Sequence, residues 1–392
     1  MLILASLALA LDTKKVPTQD IFLDDGQTKT YESTVEFAVV GSTRDGLPEE
    51  RASKRVSTPK VQAQVAADIS AAIQEGKVEF LVLGGDVVTA STVAGWKSFT
   101  KSWVEVISGS EPPEGGKLRT RVLPVPGARE VAGDDRYFGF GAAFPGVGAD
   151  IGYNRVGTWY HVDLAVGGHT WRLLFVDSNK ASLGSRWDEQ TAYIEKVLVE
   201  EEYESLVVFM HHPLLTLAPG QAANAGEAPE ELLAFIDGNT KVGALRAVFA
   251  GAPHATEVFQ PRGKFGELYV NAGGGGAPAD NTVRWGHAEA AGFPDIKLET
   301  TFDFALLREF EKQAEARACS PVAMEHAKST DSWAGFPGEY EASCMPTQGW
   351  WNVALTGEKL SATFRVVQPD GTLRGIYTAD YAGKKQGWTI GK

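Results

Sequence analysis

Along the chain, short uninterrupted apolar runs alternate with stretches whose apolar residues recur at helical spacing. The runs 37–40 (FAVV), 80–83 (FLVL), 122–125 (VLPV), 173–176 (LLFV), 206–210 (LVVFM) and 247–250 (AVFA) each stop at a Gly, Pro, Asp or His. A run of that length, apolar at every position, predicts a strand buried on both faces. Between the runs, 61–74 has the period of an amphipathic helix and is followed by Gly76, and 187–199 and 229–236 read the same way. Strand, polar loop, helix and strand again predicts an α/β sheet with its chemistry at the carboxyl ends of strands. The pattern changes after Gly276. The segment 279–349 reads as one helix over 302–318 followed by a loop-rich stretch, and 351–377 alternates apolar and polar residues around the turn pair Asp370-Gly371. That alternation predicts closing antiparallel strands. The chain thus divides into an N-terminal extension, 1–30, and a single domain, 31–392. This domain carries an elaborated insert at 279–349 and closing strands at 350–378.

Charge narrows the function. Lys and Arg number 37 against 50 Asp and Glu, a net charge of −13. A nucleic-acid binder needs a basic footprint, which this balance excludes. No apolar run approaches the roughly 18 residues of a spanning helix. The first ten residues, MLILASLALA, resemble the apolar core and cleavage region of a secretory signal, without its basic leading segment. The expectation is export, to a periplasm or the extracellular space. In that setting the two cysteines, Cys319 and Cys344, predict one disulfide. No phosphate-binding GxxxxGK[ST] or nucleophile-elbow GxSxG element occurs, so NTPase and α/β-hydrolase chemistries have no support.

Candidate chemistry lies in the residues immediately after each strand. After FAVV comes Gly41-Ser42-Thr43-Arg44-Asp45-Gly46, and after FLVL comes Gly84-Gly85-Asp86. After LPV comes Pro126-Gly127-Ala128-Arg129-Glu130, after VVFM comes His211-His212-Pro213, and after VFA comes Gly251-Ala252-Pro253-His254. In this order the chain resembles the calcineurin-like metallophosphoesterases, including their purple acid phosphatase branch. Phe175-Val176-Asp177-Ser178 before a helix containing Trp187, and Tyr269-Val270-Asn271 leading into Gly273–Gly276, agree with it. The resemblance covers about residues 35–280 and, more weakly, 350–378. It implies a four-layer α/β/β/α sandwich of two mixed sheets flanked by helices. It also implies a centre in which two divalent cations polarise a phosphoester and activate a hydroxide.

The family's motifs are D-x-H, G-D, G-N-H-[DE], a His before a Pro-containing turn, and G-H-x-H. Matched position by position, Ser42 stands for the first Asp and Arg44 for its His. Asp86 keeps the bridging carboxylate. Ala128 stands for the Asn ligand, Arg129 for the catalytic His, and Glu130 matches. His211 is retained, Ala252 replaces a ligand His, and His254 is retained. The metal-ligand positions left are Asp86, His211 and His254, with Asp45 as a conceivable replacement. Thr89 occupies the position of the purple acid phosphatase tyrosine. The resemblance supports three readings. One is an inactive member that binds a protein partner through 279–349 and needs no cofactor. Another is a phosphoester hydrolase with a rearranged single metal (Mn, Fe or Zn). The third is a metal-free module that binds a phosphate-like anion through Arg44 and Arg129. The vacated site leaves Asp86 as a buried carboxylate, and one of those two arginines is expected to pair with it. His161, His169, His287 and His326 fall outside the motifs and read as structural or surface residues. Gly273–Gly276 reads as a tight loop rather than a phosphate cradle.

Overall fold

The computed structural model describes residues 29–44, 59–108, 121–132, 137–144, 158–199, 202–214, 228–252, 256–261, 267–275, 296–302, 323–329, 340–345, 349–367, 373–383 and 388–391. Its strands are β1 (Lys29–Tyr31), β2 (Thr34–Val40), β3 (Phe80–Leu83), β4 (Arg121–Pro124), β5 (Tyr160–Val166), β6 (His169–Phe175), β7 (Ser205–Met210), β8 (Leu245–Ala250), β9 (Thr256–Pro261) and β10 (Leu268–Ala272). They continue as β11 (Ile296–Phe302), β12 (Ala323–Ser329), β13 (Tyr340–Met345), β14 (Gly349–Thr356), β15 (Lys359–Val367), β16 (Leu373–Tyr381) and β17 (Trp388–Gly391). The longer helices are α1 (Pro59–Gln74), α2 (Val93–Phe99), α3 (Arg186–Val199) and α4 (Ala228–Asn239).

The strands form two mixed sheets, one ordered β17-β16-β15-β14-β2-β3-β4 and the other β1-β5-β6-β7-β8-β10-β9-β13-β12-β11. In the smaller sheet β2, β3 and β4 are parallel, and β14 joins β2 antiparallel. In the larger sheet β6, β7, β8 and β10 are parallel. The apolar runs are explained by burial on both faces. On β6 and β7, Leu173, Phe175, Val207 and Phe209 belong to the core between the sheets. Their alternate neighbours Leu174, Leu206, Val208 and Met210 pack with Ile194 and Val197 of α3 and Leu232 and Ile236 of α4. On the other side, Val65, Ala66 and Ile69 of α1 are buried with the smaller sheet. The layers are helix, sheet, sheet, helix, as expected.

Stacked rings tie the middle together. Tyr160, Phe175, Phe209 and Phe249 stack in sequence across β5 to β8, with centroids 4.5, 4.8 and 5.5 Å apart. Phe37 and Phe80 stack at 4.7 Å in the smaller sheet, and Phe37 meets Phe209 edge-on at 6.2 Å. Such pairs contribute about 0.5–1.5 kcal/mol each beyond the area they bury.

The insert departs from its expectation. Phe302, placed at the start of a helix by its spacing, ends β11 and pairs with Ala323 of β12. The described residues of 279–349 before β14 are strands, with β13 antiparallel to β9 and β12 antiparallel to β13. Pairing to an open sheet edge satisfies backbone groups that local spacing cannot anticipate, so tertiary context overrides it. Residues 303–318, the Asp370-Gly371 turn and the signal-like segment lie outside the described residues. Among the described residues, no helix is long and apolar enough to cross a membrane.

Candidate functional site

The site is built where the carboxyl ends of β2, β3, β4, β7 and β8 meet. Their backbones approach so closely that side chains are excluded. A Cβ on Gly41 would lie 2.4 Å from Gly251 Cα, one on Gly84 2.6 Å from the same atom, and one on Gly251 1.7 Å from the Gly84 carbonyl oxygen. At this point the two sheets therefore meet backbone to backbone through glycine. Each loop is then tied to the next. Ser42 N–H donates to the Gly85 carbonyl at 2.9 Å, Arg44 N–H to the Asp86 carbonyl at 3.1 Å, and Ala252 N–H to the His211 carbonyl at 2.9 Å. The Gln62 amide, reaching from α1, donates to the carbonyls of Thr43 and Arg44 at 3.2 and 2.7 Å.

Glu130 holds the centre. One carboxylate oxygen accepts the N–H of Asp86 at 2.8 Å and of Gly127 at 2.7 Å, and the other accepts Val87 at 2.8 Å and Val88 at 3.0 Å. This side chain is fully buried. Burial first, and the Asp86 charge second, push its pKa up to about 8, against the pull of the N–H donors. Ser42 and Asp86 both sit at φ 53°, the left-handed region that glycine prefers. Such conformations cost of order 1 kcal/mol or more and persist where surrounding contacts over-determine them.

Within this frame the side chains converge on Asp86. Its Oδ1 accepts the main-chain N–H of Arg129 at 2.9 Å and lies 3.4 Å from His211 Nε2. Its Oδ2 lies 3.7 Å from Arg44 Nε, and the Arg44 side chain is 1% exposed. His211 Nδ1 is 2.8 Å from the Gly84 carbonyl, which only accepts, so Nδ1 carries a proton and Nε2 faces Asp86. Ser42 turns its hydroxyl away to donate to the Gly251 carbonyl at 3.0 Å.

Arg44 is thus the arginine beside Asp86, with Nε against the carboxylate. The half-buried Arg129 meets the same carboxylate with its backbone. Ala128 is exposed and Ala252 buried, and neither offers a donor atom. His254 and Asp45 lie outside the described residues, as does Cys319. Cys344 is on β13, its backbone in register with Glu257 and Glu325. Among the described residues, no group of three or more His, Cys, Asp or Glu is arranged to hold a metal ion.

Sequence reasoning passed over Gln62, whose polar side chain on the inward face of α1 was the available signal. It also passed over the network behind β6 and β7. There the Ser178 hydroxyl accepts the His212 N–H at 3.0 Å and lies 2.8 Å from His212 Nδ1. Burial, reinforced by the neighbouring His211, holds the His212 pKa down to about 3. Asn179 links Asp177 to the Pro126 carbonyl, at 2.8 and 3.1 Å. His161 contacts Tyr193 at 2.6 Å and His169 contacts Ser205 at 3.0 Å, both away from the cluster. His326 lies on β12, while His287 falls outside the described residues. Gly275 N–H donates to the Gly41 carbonyl at 3.0 Å, and a Cβ there would lie 2.5 Å from that oxygen. The described part of that glycine run is a packing element.

No family model matches the sequence, and no curated protein matches it. Solved structures do share the fold. GAP50, the anchor in the inner membrane complex of Plasmodium, is 12% identical with a TM-score of 0.50, over 92% of this chain and 90% of that one. The purple acid phosphatase PPD1 from yellow lupin (Lupinus luteus) seeds is 15% identical with a TM-score of 0.51, over 89% of this chain but 53% of that one. PhoD is 9% identical with a TM-score of 0.51, over 94% of this chain and 72% of that one. At these identities the likeness is one of fold, and the fold is metallophosphoesterase-like.

Proposed function

We propose that this protein has the metallophosphoesterase fold without its hydrolytic chemistry, and acts by binding, as an exported structural or anchoring component. The observation that carries this reading is the buried Arg44 guanidinium beside Asp86, at the point where the fold family holds its cations. The residues described do not fit a dinuclear centre. Asp86 and His211 are two donors, whereas a catalytic zinc-like site takes three protein ligands and an open position. A guanidinium stays charged at any accessible pH and repels a dication from the carboxylate it faces. GAP50, which shares the fold, is an anchor, and this supports a binding role. In this reading the partner meets the insert 279–349, whose strands lengthen the larger sheet laterally from the strand-end cluster.

The anion-binding reading loses its main residue, since Arg44 is buried and turned to Asp86, leaving Arg129 at the rim. The test is hydrolysis of p-nitrophenyl phosphate and bis(p-nitrophenyl) phosphate with Mn, Fe, Zn or Mg supplied. The expected result is turnover far below the usual enzymatic range of about 1 per second. Turnover in that range, lost in Asp86→Asn, would restore the single-metal hydrolase.

A further inference from the structure

We infer that Arg44 is the resident cation of the strand-end site. Its guanidinium supplies from within the chain the positive charge that Asp86 would otherwise take from a bound ion, and it closes the site to divalent metals. The inference rests on the reading that this site works without a dinuclear centre, and it goes further in assigning the charge-balancing role to one residue.

Three features converge on it. Asp86 is a buried carboxylate that the loop cannot move. Its backbone is held at φ 53°, its N–H is clamped by Glu130, and its carbonyl is tied to Arg44 N–H. The main-chain contact pins Arg44 above Asp86 before its side chain is considered, and Gln62 fixes the same segment through the Arg44 carbonyl. Second, the site holds more acid than Asp86. Glu130, fully buried and within electrostatic reach of it, has its hydrogen-bonding capacity taken up by main-chain N–H groups rather than by a cation. An ion pair for Asp86 must therefore come from elsewhere, and a carboxylate buried without one is costly. Third, Asp86 Oδ1 and His211 Nε2 face each other at 3.4 Å, with His211 oriented by the Gly84 carbonyl, so two metal-competent donors remain aimed at one point. Arg44 Nε lies against the other oxygen of the same carboxylate. Removing the arginine leaves those donors aimed at one point and takes away the guanidinium charge beside them, which favours a cation there.

The experiment is thermal unfolding of the full chain, after EDTA and again with 1 mM Mn²⁺ or Zn²⁺ (a concentration of about this order suffices for a weak site). Four proteins are compared: the natural chain, Arg44→Ala, Asp86→Asn, and the double variant. The natural chain is expected to melt at the same temperature in every condition. Arg44→Ala should melt about 5 °C or more lower. It should regain about 2 °C or more with Mn²⁺ or Zn²⁺. Adding Asp86→Asn should recover much of the fall and abolish the metal response. Additive losses in the double variant, or an Arg44→Ala protein as stable as the natural chain, would overturn the inference; the functional reading would then rest on the missing ligand donors and on the hydrolysis assay. A natural chain that carries stoichiometric metal and is destabilised by EDTA would overturn the functional reading itself. If Arg44→Ala does not fold, Arg44→Met with Asp86→Asn decides. Recovery of folding supports the charge-balancing role, and failure of that pair to fold overturns it.

Discussion

The strand-end region contains two layers that have fared differently. One is a backbone frame: Gly41, Gly84 and Gly251 in contact, Glu130 gathering the N–H groups of Asp86, Val87, Val88 and Gly127, and Ser42 and Asp86 held at positive φ. The other is the set of side chains the frame presents, where Ser42, Arg44, Ala128, Arg129 and Ala252 stand in place of the donors that the resemblance leads one to expect. The frame belongs to a metallophosphoesterase-like fold, and in our proposal the filling lacks the hydrolytic chemistry of that fold. The difference has a physical origin. A frame residue is fixed by contacts on several sides, so changing it costs folding energy whatever the protein does. A presented side chain is constrained by the ligand, and can change once the charge it served is balanced another way.

The frame should therefore be far more sensitive than the filling. Gly251→Ala is expected to have the largest effect, because a Cβ would lie 1.7 Å from the Gly84 carbonyl oxygen and the sheets would have to separate. We expect a loss beyond about 4 kcal/mol, exceptional for a point substitution, read as absence of a cooperative urea transition or a collapsed yield of folded protein. A soluble Gly251→Ala with a near-natural midpoint would show that the sheets are not locked here. Glu130→Ala comes next. It strands four buried N–H groups that the carboxylate now accepts. Leaving one buried donor unmet costs about 1–3 kcal/mol, so a total near the upper end of single-residue losses is expected in the same urea experiment. Glu130→Gln, with one oxygen kept, should fall between the natural chain and Glu130→Ala.

In the core beside the frame, Phe209→Ala should cost about 3–5 kcal/mol. It removes the ring that stacks on Phe175 and Phe249 and meets Phe37 across the sheets. The smallest effect belongs to Arg129→Ala. The Asp86 contact there is made by the main chain, which alanine keeps, and the side chain is only half-buried. The change in stability should stay within about 0.5 kcal/mol. An Arg129→Ala loss as large as that of Arg44→Ala would mean that both arginines balance Asp86, and would erase the distinction between them.

Much of the fold was legible because a strand buried on both faces must be apolar at every position. FLVL, LLFV, LVVFM and AVFA have that pattern, and each occupies a central strand. Helices α1, α3 and α4 matched their spacing within a few residues at either end. The insert was not legible. Strands such as Ala323–Ser329 (AMEHAKS) have no continuous apolar run, and they exist through pairing with β11 and β13. At the site, the residue types at each position and the prospect of an arginine beside Asp86 came from the order of the motifs. Which arginine it would be did not.

That choice shows where sequence ends and tertiary structure begins. The chain by itself determined that a carboxylate would stand at the end of β3 with cationic residues at the ends of β2 and β4, because strand, turn and glycine placement are local properties. Only the folded molecule decided that Arg44 would turn inward while Arg129 offers its backbone. The Arg44 main chain is tied to the Asp86 carbonyl and held by Gln62 from a helix, whereas the Arg129 N–H already fills the Asp86 oxygen nearest to it. These are contacts between segments distant in sequence, and their geometry exists only once two sheets have closed on three glycines.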